Sequence, residues 1–217
     1  GRRYKACLAR HQNALNAQTL GGGSSIDKEG VIRRKRCVKY SYKAALFAVA
    51  DQDPATAGKY LAAAYEYVRE VLHGRGGGAA TEAAELDVGS EDFGEWLEWK
   101  AVAEHLLLCM CDLRVSAGQL ADAAALLRRH RQLYKGLMGP LQLRFLHWEW
   151  LSCAHERFAE MLVRAADSSS RPSYAAAANG GGAALGAGGA GVAWEEQAVF
   201  HYAAAARFAS LRREAFE

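Results

Sequence analysis

Between Trp96 and Ala166 the chain holds three long amphipathic segments separated by two short breaks. No other feature limits the fold as much. Trp96, Trp99, Ala103, Leu106, Met110 and Leu113 recur at spacings of three and four. Leu120, Ala123, Leu127, His130, Tyr134 and Leu137 form a second such seam, and His147, Leu151, Ala154, Phe158, Met161 and Ala165 a third. Apolar residues at that spacing line one face of an α-helix. Leu97, Val102 and Leu108 widen the first stripe, which suits an inner helix with neighbours on more than one side. Gly118 is placed to cap the first segment and Gly139-Pro140 to stop the second. Almost every ionisable group in the tract reads as part of a solvated face. The pattern describes a surface for other elements to pack on, not a cavity for chemistry.

The remaining segments fit the same plan. Arg2–Ala17 reads as a first helix with Tyr4, Leu8, His11 and Leu15 on one stripe, followed by a flexible break at 21–25. Asp27 is a suitable N-cap for a helix carrying Val38, Tyr42, Ala45, Leu46 and Val49 on one face. That helix stops at Asp51-Gln52-Asp53-Pro54. Asp53 as N-cap with Pro54 in the first helical position is a specific start signal. The helix that follows is expected to bury Leu61, Ala64, Tyr65, Val68 and Leu72. So short a break makes the two helices antiparallel neighbours. Residues 74–92 and 168–193 are expected to be flexible or low-complexity loops, the second because serine, alanine and glycine runs bury little apolar area. A last helix is expected to start near Glu195-Glu196 and to bury Val199, Tyr202, Ala206, Ala209 and Phe216. The expected fold is all-α: one domain over 1–217, an irregular α-solenoid of antiparallel helical hairpins. It is tetratricopeptide-like without the strict 34-residue repeat.

Composition narrows the function classes. The chain has 217 residues, 51% of them hydrophobic, and a formal charge of +3. So small a charge supports neither a strong nucleic-acid binder nor an acidic-partner binder by itself, and no nucleic-acid partner is expected. The five cysteines, Cys7, Cys37, Cys109, Cys111 and Cys153, follow no disulfide framework, and no Asn-x-Ser/Thr site is present, so a cytoplasmic setting is expected. No apolar run is long enough to span a bilayer. The first residue is Gly1, so the chain is expected to be a piece of a longer one.

Each group that suggests chemistry has a structural explanation. His105 and Cys109 are one helical turn apart, but Cys111 lies ~200° around the axis from Cys109, so the three cannot share an ion. The cysteines read as small core residues. His147 and His155 are two turns apart with no carboxylate pair beside them, and read as core or interface histidines. No GxSxG elbow occurs, and neither Gly21–Gly23 nor Gly74–Gly78 leads into the GK[ST] of a phosphate loop. The basic runs Arg33–Arg36 with Lys39, and Arg128–Arg131 with Lys135, read as solvated helix faces. The functional alternatives for the first are a localisation signal or a membrane-headgroup contact. No catalytic, cofactor-binding or metal residue is expected, no small-molecule substrate, and no enzymatic activity.

The residues also resemble a known family. Phe145, His147, Trp150, Ser152 and Phe158, within FLHWEWLSCAHERFAEML, are spaced as in the foie gras domain of the transport protein particle (TRAPP) vesicle-tethering complex, a domain of its subunit eleven. Asp122-Ala123 with Arg128 and His130, the stretch from Tyr42-Lys43 to Ala64-Tyr65, and Tyr202-Ala203-Ala204 with Arg212 resemble other parts of that domain in the same order. Ala154 stands where the family usually has Gln, and the linkers are longer here. The resemblance implies a non-catalytic scaffold in endoplasmic reticulum-to-Golgi traffic and autophagy, peripheral to those membranes. It implies that other subunits carry out Rab GTPase exchange and that this chain holds partner subunits. Phe145, Trp150 and Phe158 would then stabilise hairpin packing. The rival expectation is a generic tetratricopeptide-like peptide-binding adaptor.

Overall fold

The computed structural model describes residues 28–74, 91–135, 144–170 and 187–216, with helical backbone also at Ala6, Ala9, Arg10 and Asn13. Among the described residues the regular structure is entirely helical. It comprises α1 (Lys28–Ala50), α2 (Pro54–Gly74), α3 (Glu91–Ser116), α4 (Leu120–Tyr134), α5 (Arg144–Ser170) and α6 (Ala187–Phe216). The stripe from Tyr4 to Leu15, the break at 21–25, the Asp27 cap and the Gly139-Pro140 stop lie outside the described residues.

The α1–α2 turn forms as its residues dictate. Gln52 adopts φ 59°. Its amide donates to the Val49 carbonyl, and the Asp53 amide donates to the Ala48 carbonyl. That pair of bonds closes the end of α1 as a Schellman motif. Asp53 then opens α2, its carboxylate accepting the Thr56 amide at 2.9 Å, which is N-cap geometry. Hydrogen bonds from the Thr56 side chain and then from its amide hold the Asp53 carboxyl below the usual carboxylate range. The α3–α4 turn repeats the device. Gly118, at φ 73°, donates to Val115, and Gln119 donates to Arg114. A left-handed residue suits glycine there and costs more for Gln52.

The chain divides into two compact units, Gly1–Leu113 with Gln132–Pro140, and Arg114–Arg131 with Leu141–Glu217. The sequence reading gives a single domain over 1–217. Helical periodicity tells which face of a helix is covered but not which helix covers it, so the division is invisible before tertiary structure.

In the first unit α1 and α2 pack together. Arg34 near the start of α1 meets Glu70 near the end of α2 at 4.0 Å, so they run antiparallel. Leu61, Ala64, Tyr65, Val68 and Leu72 of α2 are buried as expected. On α1 the buried seam is Cys37, Val38, Ser41, Ala44, Ala45 and Ala48. Leu46 and Val49, expected inside, are 50% and 47% exposed. Leu46 lies ~200° around the axis from Ala44, so covering the alanine face leaves Leu46 outside.

In the second unit α5 and α6 pack along their length. Ser152 bonds to Ala205, His155 to His201, and Glu149 to Arg212. Partner numbers fall as those on α5 rise, so these helices are also antiparallel. The α6 seam differs from the expected one. Ala198, His201 and Ala205 are buried, whereas Val199 is 67% and Tyr202 42% exposed. The covered row is displaced by one residue, ~100° around the helix. Its alanines let the backbone approach α5 closely enough for the Ser152 hydroxyl to reach the Ala205 carbonyl, 2.8 Å away.

The expected loops are shorter at their ends. Gly74 belongs to α2 and Glu91 and Asp92 to α3, so 75–90 alone lies outside the described residues. Likewise α5 continues through Ser170, and α6 begins at Ala187, well before Glu195. Extending an existing helix adds one hydrogen bond per residue without a new nucleation cost, so an alanine-containing flank follows the packed turns despite its glycines.

Candidate functional site

α1 and α3 border a groove of about 530 Å³ within the first unit. Lys35, Val38, Lys39 and Tyr42 line it from α1. Trp99, Val102, His105 and Leu106 line it from α3, with Glu98 and Ala101 beside them. These positions follow from the helical period: each set spans two turns of one face. Long side chains bridge the two helices at either end. The Lys35 ammonium meets Glu95 at 2.9 Å and stands 5.8 Å from the Trp99 ring. The Tyr42 hydroxyl and His105 Nε2 are 2.8 Å apart, with the rings edge to face at 5.3 Å. Both pairs advance together in number, so α1 and α3 run in the same direction.

Cys109 Sγ lies 3.7 Å from the same His105 nitrogen. The one-turn spacing thus brings His105 and Cys109 together. Cys111 is fully buried on another face, and burial pushes its thiol up to about 12. Burial also raises the Cys109 thiol, with Asp112 adding to the effect. Among the described residues no three His, Cys, Asp or Glu side chains converge as a metal site would require.

The other candidate residues are held within the fold. His147 and His155 are buried, 3% exposed each. Two turns apart on α5, they do not meet one another; His147 meets the Trp148 ring edge to face and lies tilted against Trp150. His155 Nδ1 instead lies 2.9 Å from Nδ1 of His201. Burial lowers both imidazoles to about 4, with His201 and Arg131 assisting at His155 and Arg128 at His201. The pair is therefore neutral near pH 7, one ring donating and the other accepting. His201 is not among the residues that the sequence singles out. Its signal is a polar residue in register with Ala198 and Ala205, masked by the more apolar Val199 and Phe200 beside it.

Lys100 is buried on α3, its ammonium 4.5 Å from the Trp96 ring. Desolvation lowers it to about 8, against an opposing pull from Glu104. Within the first basic run, Arg34 meets Glu70 and Lys35 meets Glu95, while Arg36 and Lys39 are exposed. In the second, Arg128, Arg129, Arg131 and Lys135 are exposed, and His130 is buried with its ring 5.1 Å from Trp150. Phe158 is fully buried, its ring 4.7 Å from His201. Phe145 and Trp150 are half-buried. No described helix is long and apolar enough to cross a membrane.

A family model described as Foie gras liver health family 1 matches residues 95–217, which include the α3 wall of the groove and all of α4 to α6. No curated protein and no solved structure matches the chain.

Proposed function

The chain belongs to the foie gras liver health family 1, and on that premise we propose that it is a non-catalytic scaffold of a TRAPP vesicle-tethering complex. In this reading it works in endoplasmic reticulum-to-Golgi traffic and autophagy, on the cytoplasmic side and peripheral to those membranes. It holds neighbouring subunits, while other subunits carry out Rab GTPase exchange. The family match over 95–217 is the observation that carries the proposal.

Two features support the reading of an irregular, tetratricopeptide-like array of hairpins. Within the first unit α1 is antiparallel to α2 and α3 runs with α1, the order that a hairpin followed by a further helix produces. The α1–α2 and α3–α4 turns also use the same capping device. The strongly perturbed side chains support a structural role. His155 with His201, Lys100 over Trp96, and Cys111 are all buried in packing. The groove beside α1 favours a second reading, a generic tetratricopeptide-like peptide-binding adaptor.

Affinity purification of the tagged chain from its own cells, read by mass spectrometry, tests the two. Recovery of tethering-complex subunits is the expected outcome. Recovery of chaperones or unrelated peptide-bearing proteins in their place would overturn the tethering reading in favour of the adaptor.

A further inference from the structure

We propose that the α1–α3 groove is a docking site for an acidic amphipathic helix of a partner protein. The inference rests on the interaction-domain reading above and names the kind of partner that this surface takes. The groove's floor is apolar: Val38, Trp99, Val102 and Leu106 line it. Its length is two helical turns, ~10 Å. That length and the volume of about 530 Å³ suit three apolar side chains from one helix, at i, i+3 or i+4, and i+7.

Charge selects the occupant. The α1 rim carries Lys35, Lys39 and, one turn further along the helix, Lys43. Lys35 is engaged by Glu95. Lys39 and Lys43 are exposed and form no ion pair with any described residue. A helix seated on the apolar floor would bring its flanking side chains to these two ammonium groups, so carboxylates are favoured there. Glu98 on the α3 side disfavours acid on the opposite flank. The partner helix therefore carries its acidic residues along one edge of its apolar row. Trp99, only 4% exposed, also has an indole N–H with no acceptor among the described residues, in a residue that lines the groove. A bilayer is the poorer fit, because the apolar residues are recessed between two helices while a membrane surface is flat.

The test uses the 217-residue chain and two fluorescein-labelled helical peptides. Both present leucines at i, i+4 and i+7; one carries glutamates along one edge, the other lysines. Fluorescence anisotropy reads binding, and sedimentation with phosphatidylserine vesicles reads membrane affinity. The acidic peptide is expected to bind and the basic one to bind far more weakly. Lys39→Glu should weaken the acidic peptide about tenfold, since it removes an attraction and adds a repulsion. Val102→Glu should abolish binding with the helical circular-dichroism signal kept; Lys39 is exposed, so its variant keeps the answer clear if Val102→Glu unfolds. Equal binding of both peptides, an unchanged affinity in Lys39→Glu, or vesicle binding without peptide binding would each overturn the proposal. The same variant separates the two readings. Loss of acidic-peptide binding by Lys39→Glu with tethering subunits absent from the wild-type purification sinks the tethering scaffold alone. Recovery of those subunits by a wild-type chain that binds neither peptide sinks the groove alone.

Discussion

Acid should weaken the second unit through one buried pair. His155 and His201 are held at about 4 in the folded chain, against an ordinary value near 6.5 in the unfolded one. Their folded values are depressed, so the unfolded chain binds more protons between those limits. Stability is then complete above pH ~6.5 and falls as pH drops toward 4. At about pH 5 an unfolded imidazole is almost fully protonated and a folded one is mostly neutral. The difference is about 2 kcal/mol for each ring, because every tenfold change in proton affinity is worth about 1.4 kcal/mol. Solvent screening and the mutual dependence of the two titrations lower the sum, to about 2 kcal/mol for the pair. The assay is urea denaturation at about pH 7 and pH 5, for wild type and for the double variant His155→Gln/His201→Gln. Glutamine retains a donor and an acceptor but does not titrate. The wild type should lose about 2 kcal/mol more than the variant on acidification. Equal losses would refute the reasoning, as would imidazole NMR signals of His155 and His201 that titrate near 6.5.

Three further outcomes follow from packing and turns. Phe158→Ala should destabilise the chain by about 3–5 kcal/mol in thermal or urea melts, because the fully buried ring leaves a cavity against His201. Gly118→Ala should cost about 1–2 kcal/mol, whereas Gln52→Gly should raise the melting temperature slightly; both sit at left-handed φ, where only glycine is unstrained. Cys111 should resist iodoacetamide in the folded chain and react on unfolding, since burial holds its thiol near 12; mass-spectrometric mapping of the labelled sites checks this.

The α1–α2 turn and the α2 and α5 seams are legible in the sequence because their signals are local. Asp53-Pro54 states a helix start in adjacent residues, and Leu61 to Leu72 or Leu151 to Met161 repeat at the helical period. The α6 seam is not legible in this way because two rows compete there. Val199 and Tyr202 are the more hydrophobic row, yet Ala198, His201 and Ala205 are covered. Hydrophobicity ranks rows by transfer energy, but α5 needs small residues and an imidazole opposite Ser152 and His155. Leu46 and Val49 lose to the alanines of α1 for the same reason.

Helix type, the two hairpin turns and membership of the family can be read from the residues in order, since periodicity, capping chemistry and ordered motif residues are properties of neighbouring positions. The pairing of His155 with His201, the division into two units and the groove between α1 and α3 arise only in the folded chain. Each of these depends on residues brought together from distant parts of the chain, such as Tyr42 and His105 at 2.8 Å. The choice among near-equal faces of one helix is made by the shape of its neighbour, which no local pattern records.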